Sequence, residues 1–188
     1  MKPRIWYCSD HHFYHELIWN SNRILEFRNV FEMNEELIYR HNQKVSNDDI
    51  IYFLGDVIFC RAENLDINMR ETVGKMKGHK RLIIGNHDYT NLNKVCFTQY
   101  FEAIKEAEVI KDGNHSVHLF HYPILSWWNK QRDTYHVHGH LHGSRSIPEF
   151  DILRMEERAL SACMEVNLFE PCTLAELIHN NERWKAFE

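Results

Sequence analysis

The sequence predicts the α/β class, a parallel or mixed sheet with helices against it, built by one domain spanning residues 1–188. Three observations carry that expectation. Short apolar runs recur along the chain and stop at Asp, Asn or His, as strands buried on both faces would. Between two of them, at 50–54 and 82–84, Leu65, Met69, Val73 and Met76 repeat at helical spacing, and a strand, crossover helix and strand favour parallel pairing. The length suffices for one domain with a full core.

The run Ile5–Cys8 is the first strand and ends at Ser9, Asp10, His11 and His12. In an extended segment residues two apart point the same way, so Asp10 and His12 converge while His11 faces elsewhere. A helical patch at 34–41 repeats Leu37, Ile38 and His41 or Asn42, and 45–49 turns into the strand at 50–54. That strand delivers Gly55 and Asp56. The helix at 64–76 closes near Gly78, and the strand at 82–84 ends at Gly85, Asn86, His87 and Asp88. Residues 91–101 read as a helix with Leu92, Val95 and Tyr100 or Phe101 inward. Val109 and Ile110 pair with 117–120 across the Asp112, Gly113, Asn114 turn, and the second strand ends at His121. The strand at 135–138 leads to Gly139, His140, Leu141, His142 and Gly143. Residues 144–158 read as a loop, 159–167 as a final strand, and Thr173 with Glu176 forms a capping box opening a short C-terminal helix.

Composition narrows the function. Hydrophobic residues at 44% with 13% aromatic exclude disorder, and no apolar run is long enough to cross a bilayer. The charged start and four apolar residues before Ser9 and Asp10 do not form a secretory leader, so the cytoplasm is expected. Five cysteines, with no CxxC pair, fit reduced thiols. A net charge of −5 gives no footprint for an extended nucleic-acid surface, and Lys75, Lys77, Lys80 and Arg81 read as a solvated helix end. Fourteen histidines are the outlier.

Asp10, His12, Asp56, Asn86, His121, His140 and His142 all fall at strand ends. A lone carboxylate such as Asp56 at the tip of a core strand needs a cation or several donors, because removing its charge from water is costly. The set offers carboxylate, amide and imidazole donors without thiolate, which suits Mn, Fe, Ni or Zn. Seven donors are too many for one ion and fit two ions sharing a carboxylate, with Asp56 on the central strand as the bridge.

In that order, Asp10-X-His12, Gly55-Asp56, Gly85-Asn86-His87-Asp88, His121 and Gly139-His140-X-His142 resemble the calcineurin-like metallophosphoesterase superfamily. Asn42, Asp49, His121-Tyr122-Pro123 and Pro171-X-Thr173-Leu174 are similar to its small single-domain bacterial and phage members. The resemblance implies a sandwich of two β-sheets flanked by helices in four layers. It implies two divalent ions, Mn(II) first with Fe, Ni or Zn as alternatives, one on Asp10, His12, Asp56 and His142 and the other on Asp56, Asn86, His121 and His140. It further implies His87 as a general acid oriented by Asp88. Two ions lower the pKa of a shared water to near neutrality, so that hydroxide attacks phosphorus in line with the leaving group. Small relatives often carry Asn-Val where this chain has Ser161 and Ala162, so no function is carried onto that strand.

Other residues have simpler readings. His138 supports the site by donating to a carbonyl or carboxylate, while His11 and His15 are expected to be solvated, both near enough to reach a substrate phosphate. Cys60 reads as an inert thiol, and Trp127 with Trp128 as core plus rim. The expected activity is hydrolysis of a small-molecule phosphodiester or phosphomonoester, nucleotides included. The alternatives are a nuclease acting on DNA or RNA, and a non-catalytic scaffold that keeps the fold. Substrate, metal and oligomeric state are not encoded in the motifs.

Overall fold

A computed structural model describes residues 3–186, so that Met1 and Lys2, part of the charged start read above, lie outside the described residues. Among the described residues, eight strands make two four-stranded sheets. The first, in the order β1 (Ile5–Cys8), β2 (Ile50–Phe53), β3 (His79–Ile83) and β4 (Ala103–Lys105), is parallel throughout. In the second, β5 (Ala107–Asp112) runs antiparallel to β6 (His115–Phe120), and β7 (Tyr135–His138) and β8 (Ala159–Ser161) continue parallel to β6.

The sheets stack because alternate residues are apolar on both faces. Tyr7, Tyr52, Leu54 and Ile83 meet Val117, Leu119, Val137 and Leu160 in the layer between the sheets. The intervening Trp6, Cys8, Ile51, Phe53 and Leu82 pack against Met33, Leu37, Leu65 and Met69 on the other side. Burying each large apolar side chain contributes roughly 1.5–3 kcal/mol before the entropy of ordering is subtracted.

The helices are α1 (Glu16–Ile18), α2 (Val30–Lys44), α3 (Leu65–Glu71), α4 (Val95–Thr98), α5 (Pro148–Leu153) and α6 (Leu174–Lys185). In α2 the Asn29 side chain accepts from the N–H groups of Phe31 and Glu32, and Val30, Met33, Leu37 and His41 are buried along one stripe. The Thr173–Glu176 capping box starts α6, as expected. No helix among the described residues is long and apolar enough to cross a membrane.

Several boundaries differ from the sequence reading. The helix read at 64–76 keeps all four inward residues buried but breaks at Thr72 between α3 and a 3-10 turn, Val73–Lys75. The segment at 91–101 holds only the single turn α4, with Phe97 inward and Val95 exposed, since no helical stripe of sufficient length is present. Residues 148–153, read as loop, form α5 with Pro148 in its first turn. The final strand stops at Ser161 because 163–169 turns back on itself, Val166 bonding to Cys163 and Phe169 to Met164. The short strand β4 had no alternation to announce it.

Candidate metal centre

The C-terminal ends of β1, β2, β3, β6 and β7 lie together at one end of the sandwich, where ligands of parallel sheets collect. Two loops zip along each other there: the N–H groups of Asp10 and His12 donate to the carbonyls of Gly55 and Asp56, both at 3.0 Å. Gly55 has φ +94°, and a Cβ on it would meet the Gly85 backbone and the His121 ring at 2.6 Å. Only glycine lets these three loop segments approach so closely.

The backbone at the site is not extended. Asp10, His12, Asp56, His140 and His142 all have positive φ, between 48° and 75°. Each costs on the order of 1 kcal/mol or more in a non-glycine residue, and such outliers concentrate at functional sites. Asp10 and His12 therefore converge through paired left-handed turns and not through the alternation of a strand. His11 does face away, as expected, but it is buried between Phe13 and Phe53, with ring centroids at 5.2 and 5.0 Å, and is not solvated.

The structure brings six of the predicted ligands, together with His87, the expected general acid, into three overlapping groups: Asp10, His12 and His142; Asp56, His121 and His140; and His12, Asp56 and His87. Asp56 Oδ2 lies 3.6 Å from His12 Nε2, 3.6 Å from His121 Nε2 and 4.0 Å from His87 Nε2. Asp10 Oδ1 lies 3.8 Å from His12 Nε2 and 3.6 Å from His142 Nε2. These separations are too long for hydrogen bonds and suit donors that meet on a common ion. Asn86 joins the second group, its Oδ1 3.1 Å from His121 Nε2.

The donor chemistry fits divalent cations. His12 Nε2 is buried without any hydrogen-bond partner, although it faces two carboxylates. The His121 Nδ1–H is committed to the Leu54 carbonyl at 2.6 Å, so in the neutral ring the Nε2 lone pair points at Asn86 Oδ1, another acceptor. Burial pushes the Asp56 carboxyl above the ordinary carboxylate range, with the charge of Asp10 adding to it and His121 opposing. Burial likewise drives His12 well below its usual value, reinforced by His142. Lone pairs and buried carboxylates crowded in this way need a cation between them.

Asp10 is held from behind. The His140 N–H donates to its Oδ2 at 3.0 Å, and the Cys163 thiol lies 3.3 Å from the same atom. The Asp88 side chain corrects an expectation. Instead of orienting His87, its buried carboxylate accepts from the N–H groups of Gly85 and Asp56, both at 2.9 Å, and of Val57 at 3.1 Å. His87 is positioned by its own N–H, which donates to Asp56 Oδ1 at 2.9 Å, and by edge contacts with His12 and Phe59. One third of the His87 side chain is exposed, at the mouth of the site.

Sequence reasoning missed two residues. Glu165 Oε1 lies 3.1 Å from His142 Nδ1, and the buried Arg23 holds Glu165 with two contacts of 2.9 Å. Burial alone would raise the Glu165 carboxyl, but Arg23 and His142 bring it down to about 2. A signal for Glu165 existed, since it too follows an apolar run, Ala162, Cys163 and Met164. Arg23 sits at the end of a π-type turn, Trp19–Arg23, that no spacing rule marks. His15, expected in solvent, is buried with Nδ1 3.1 Å from His12 Nδ1 and its ring stacked on Phe59. His138 behaves as expected, its Nδ1 2.9 Å from the Gly139 carbonyl. Cys60 is half-buried against the core, Trp127 is buried and Trp128 is exposed.

Two stacked sheets with clusters of Asp and His donors at their strand ends define a class of sandwich-fold proteins organised around a candidate metal centre. The family model for calcineurin-like phosphoesterases matches residues 3–169, and the chain belongs to that family. It is 31% identical to the uncharacterized protein MJ1445 of Methanocaldococcus jannaschii over 183 residues, covering 97% of this chain and 93% of that one. It is 26% identical to the Gene 66 protein of Mycobacterium phage L5, over 73% of this chain and 76% of the phage protein. The fold is shared with the crystal structure of AQ665 from Aquifex aeolicus, a protein of unknown function, at a TM-score of 0.72 and 24% identity, covering 93% of this chain and 97% of AQ665.

Proposed function

We propose that the chain is a metal-dependent phosphoesterase that hydrolyses small phosphodiesters, phosphomonoesters or both, with nucleotides among the substrates to test. The observation that carries this reading is Asp56 Oδ2, a buried carboxylate oxygen facing the Nε2 atoms of His12, His121 and His87 at 3.6, 3.6 and 4.0 Å. Asp10, His12, Asp56 and His142 would hold one divalent ion, and Asp56, Asn86, His121 and His140 the other. Mn(II) is the first candidate, in competition with Fe, Ni and Zn for the same donors. Two such ions, when bound, supply a water of near-neutral pKa and offset the charge of a phosphate.

The remaining work falls to the protein. Leu54 and Glu165 each take the Nδ1 proton of a ligand histidine, so that His121 and His142 present Nε2 inward. His87, one third exposed, lies beside Asp56 and is placed to give a proton to the departing alkoxide. A cavity of about 480 Å³ next to His140, lined in part by Tyr122, Leu141 and Ile147, has room for the organic group of the ester. The five free cysteines support a reducing compartment, the cytoplasm.

The test is to purify the protein without chelator, count its metals and assay bis-p-nitrophenyl phosphate, p-nitrophenyl phosphate and single-stranded DNA with added Mn(II). Turnover of either small ester that disappears in Asp56→Ala supports the proposal. Cleavage of DNA alone would replace it with a nuclease, and metal binding without turnover would replace it with a scaffold.

A further inference from the structure

We infer that Glu165 and Arg23 are positioning residues that build the first of the two proposed metal positions, the one formed by Asp10, His12 and His142. The inference rests on the metal reading above and assigns a role to two residues outside the ligand set.

Arg23 is 1% exposed although the chain around it, Ile24 to Glu26, lies in solvent. Its guanidinium packs over the Phe169 ring and reaches the Met33 sulfur, but its strongest contacts run to the site. One Nη donates to the carbonyl of Asp10 and the other, at 2.7 Å, to that of His11, so the left-handed turn carrying Asp10 and His12 is clamped from below. Nε and Nη2 both reach Glu165 Oε1 at 2.9 Å. The same oxygen lies 3.1 Å from His142 Nδ1. A single carboxylate oxygen therefore joins the clamp on the backbone of Asp10 and His11, just before His12, to the ring of His142, across a sequence separation of 142 residues.

The chemistry follows from the imidazole. A carboxylate accepting the Nδ1–H fixes the tautomer with its lone pair on Nε2, orients the ring, and raises the basicity of Nε2 toward a cation. Here that Nε2 faces Asp10 Oδ1 at 3.6 Å. Leu54, a neutral carbonyl, does the same for His121 in the second position. The two positions thus differ in what stands behind them: an ion pair behind the first and a peptide carbonyl behind the second. Loss of the Glu165 charge should weaken the first position alone.

The experiment is a Mn(II) titration of the metal-free full chain by calorimetry, with the electron paramagnetic resonance spectrum recorded at each step, for the wild type and for Glu165→Gln. Glutamine keeps the size and an accepting oxygen but removes the charge. The expected result is a loss of about 10- to 100-fold in affinity for one ion, the other staying within about threefold. The spectrum should pass from that of a coupled pair to that of an isolated Mn(II). Because an unpaired buried Arg23 weakens folding, a double variant, Arg23→Met with Glu165→Leu, replaces the ion pair by apolar groups of similar volume. It should show the same loss at one position. Two ions bound as in the wild type, or equal weakening of both, would overturn the inference while leaving the phosphoesterase reading intact. A wild type that binds no Mn(II) would overturn both.

Discussion

The backbone N–H of Asp56 donates to the carboxylate of Asp88 at 2.9 Å, which ties the loop after β2 to the loop after β3. Gly85 and Val57 donate to the same side chain. Asp88 is thus the staple that fixes the shared carboxylate between the two proposed metal positions. Asp88→Ala leaves three buried N–H groups without partners, at about 1–3 kcal/mol for each that water does not reach. Urea unfolding of the metal-free variant should show a loss of at least about 2 kcal/mol, and activity should fall equally for good and poor leaving groups.

His87 should behave differently. In the proposed mechanism it serves only the departing oxygen, so His87→Ala should retain both metals and slow alkyl phosphate esters far more than p-nitrophenyl esters. A plot of log rate against leaving-group pKa, steeper in the variant than in the wild type, is the measurement. An unchanged slope would remove His87 from the acid role.

Gly55 sets the spacing of the loops. A methyl group there would press on the Gly85 backbone and the His121 ring, and the residue's φ of +94° adds backbone strain for any L side chain. Gly55→Ala should abolish binding of at least one metal in equilibrium dialysis. Gly113→Ala serves as the control, because no atom lies within 4 Å of its added Cβ, so its only cost is the φ of +57° in an exposed turn.

Two histidines away from the strand-tip ligands predict how stability depends on pH. Burial lowers His41, packed over Phe53, and His136, beside Trp127, from 6.5 to about 4. Unfolded rings bind a proton below about 6.5 that the folded rings refuse until about 4. Stability of the metal-free protein should therefore be full above 6.5 and fall as the pH drops through that window. Each ring contributes a slope of up to about 1.4 kcal/mol per pH unit. His41→Gln, which can still donate to the Lys77 carbonyl that lies 2.9 Å from His41 Nε2, should flatten the fall in urea midpoints between pH 6.5 and 4.

Much of the site was legible because its ligands follow strands. Apolar runs such as 50–54 and 135–138 announce where a side chain will be delivered, and the parallel arrangement brings those ends together. The side chains that hold the ligands were less legible: Glu165 follows an apolar run as the ligands do, but nothing local marks Arg23 or the contacts of Asp88. Arg23 reaches Asp10 and Glu165 through tertiary packing, and Asp88, next in sequence to His87, turns toward other backbones instead. His11 and His15 show the same limit: charge and spacing suggested solvent, while the neighbouring Phe13, Phe53 and Phe59 rings enclose them. The helix at 91–101 failed for the opposite reason, since apolar residues near helical spacing were too few to sustain more than one turn.

The central claim is that one carboxylate, Asp56, serves two cations. Mass spectrometry of the native protein after Mn(II) loading, with electron paramagnetic resonance on the same sample, tests it most directly. The account predicts two ions per chain with a spin-coupled spectrum in the wild type, and in Asp56→Asn a loss of coupling together with at least one ion. A wild type that binds at most one ion, or an Asp56→Asn variant that keeps the coupled pair, would contradict it.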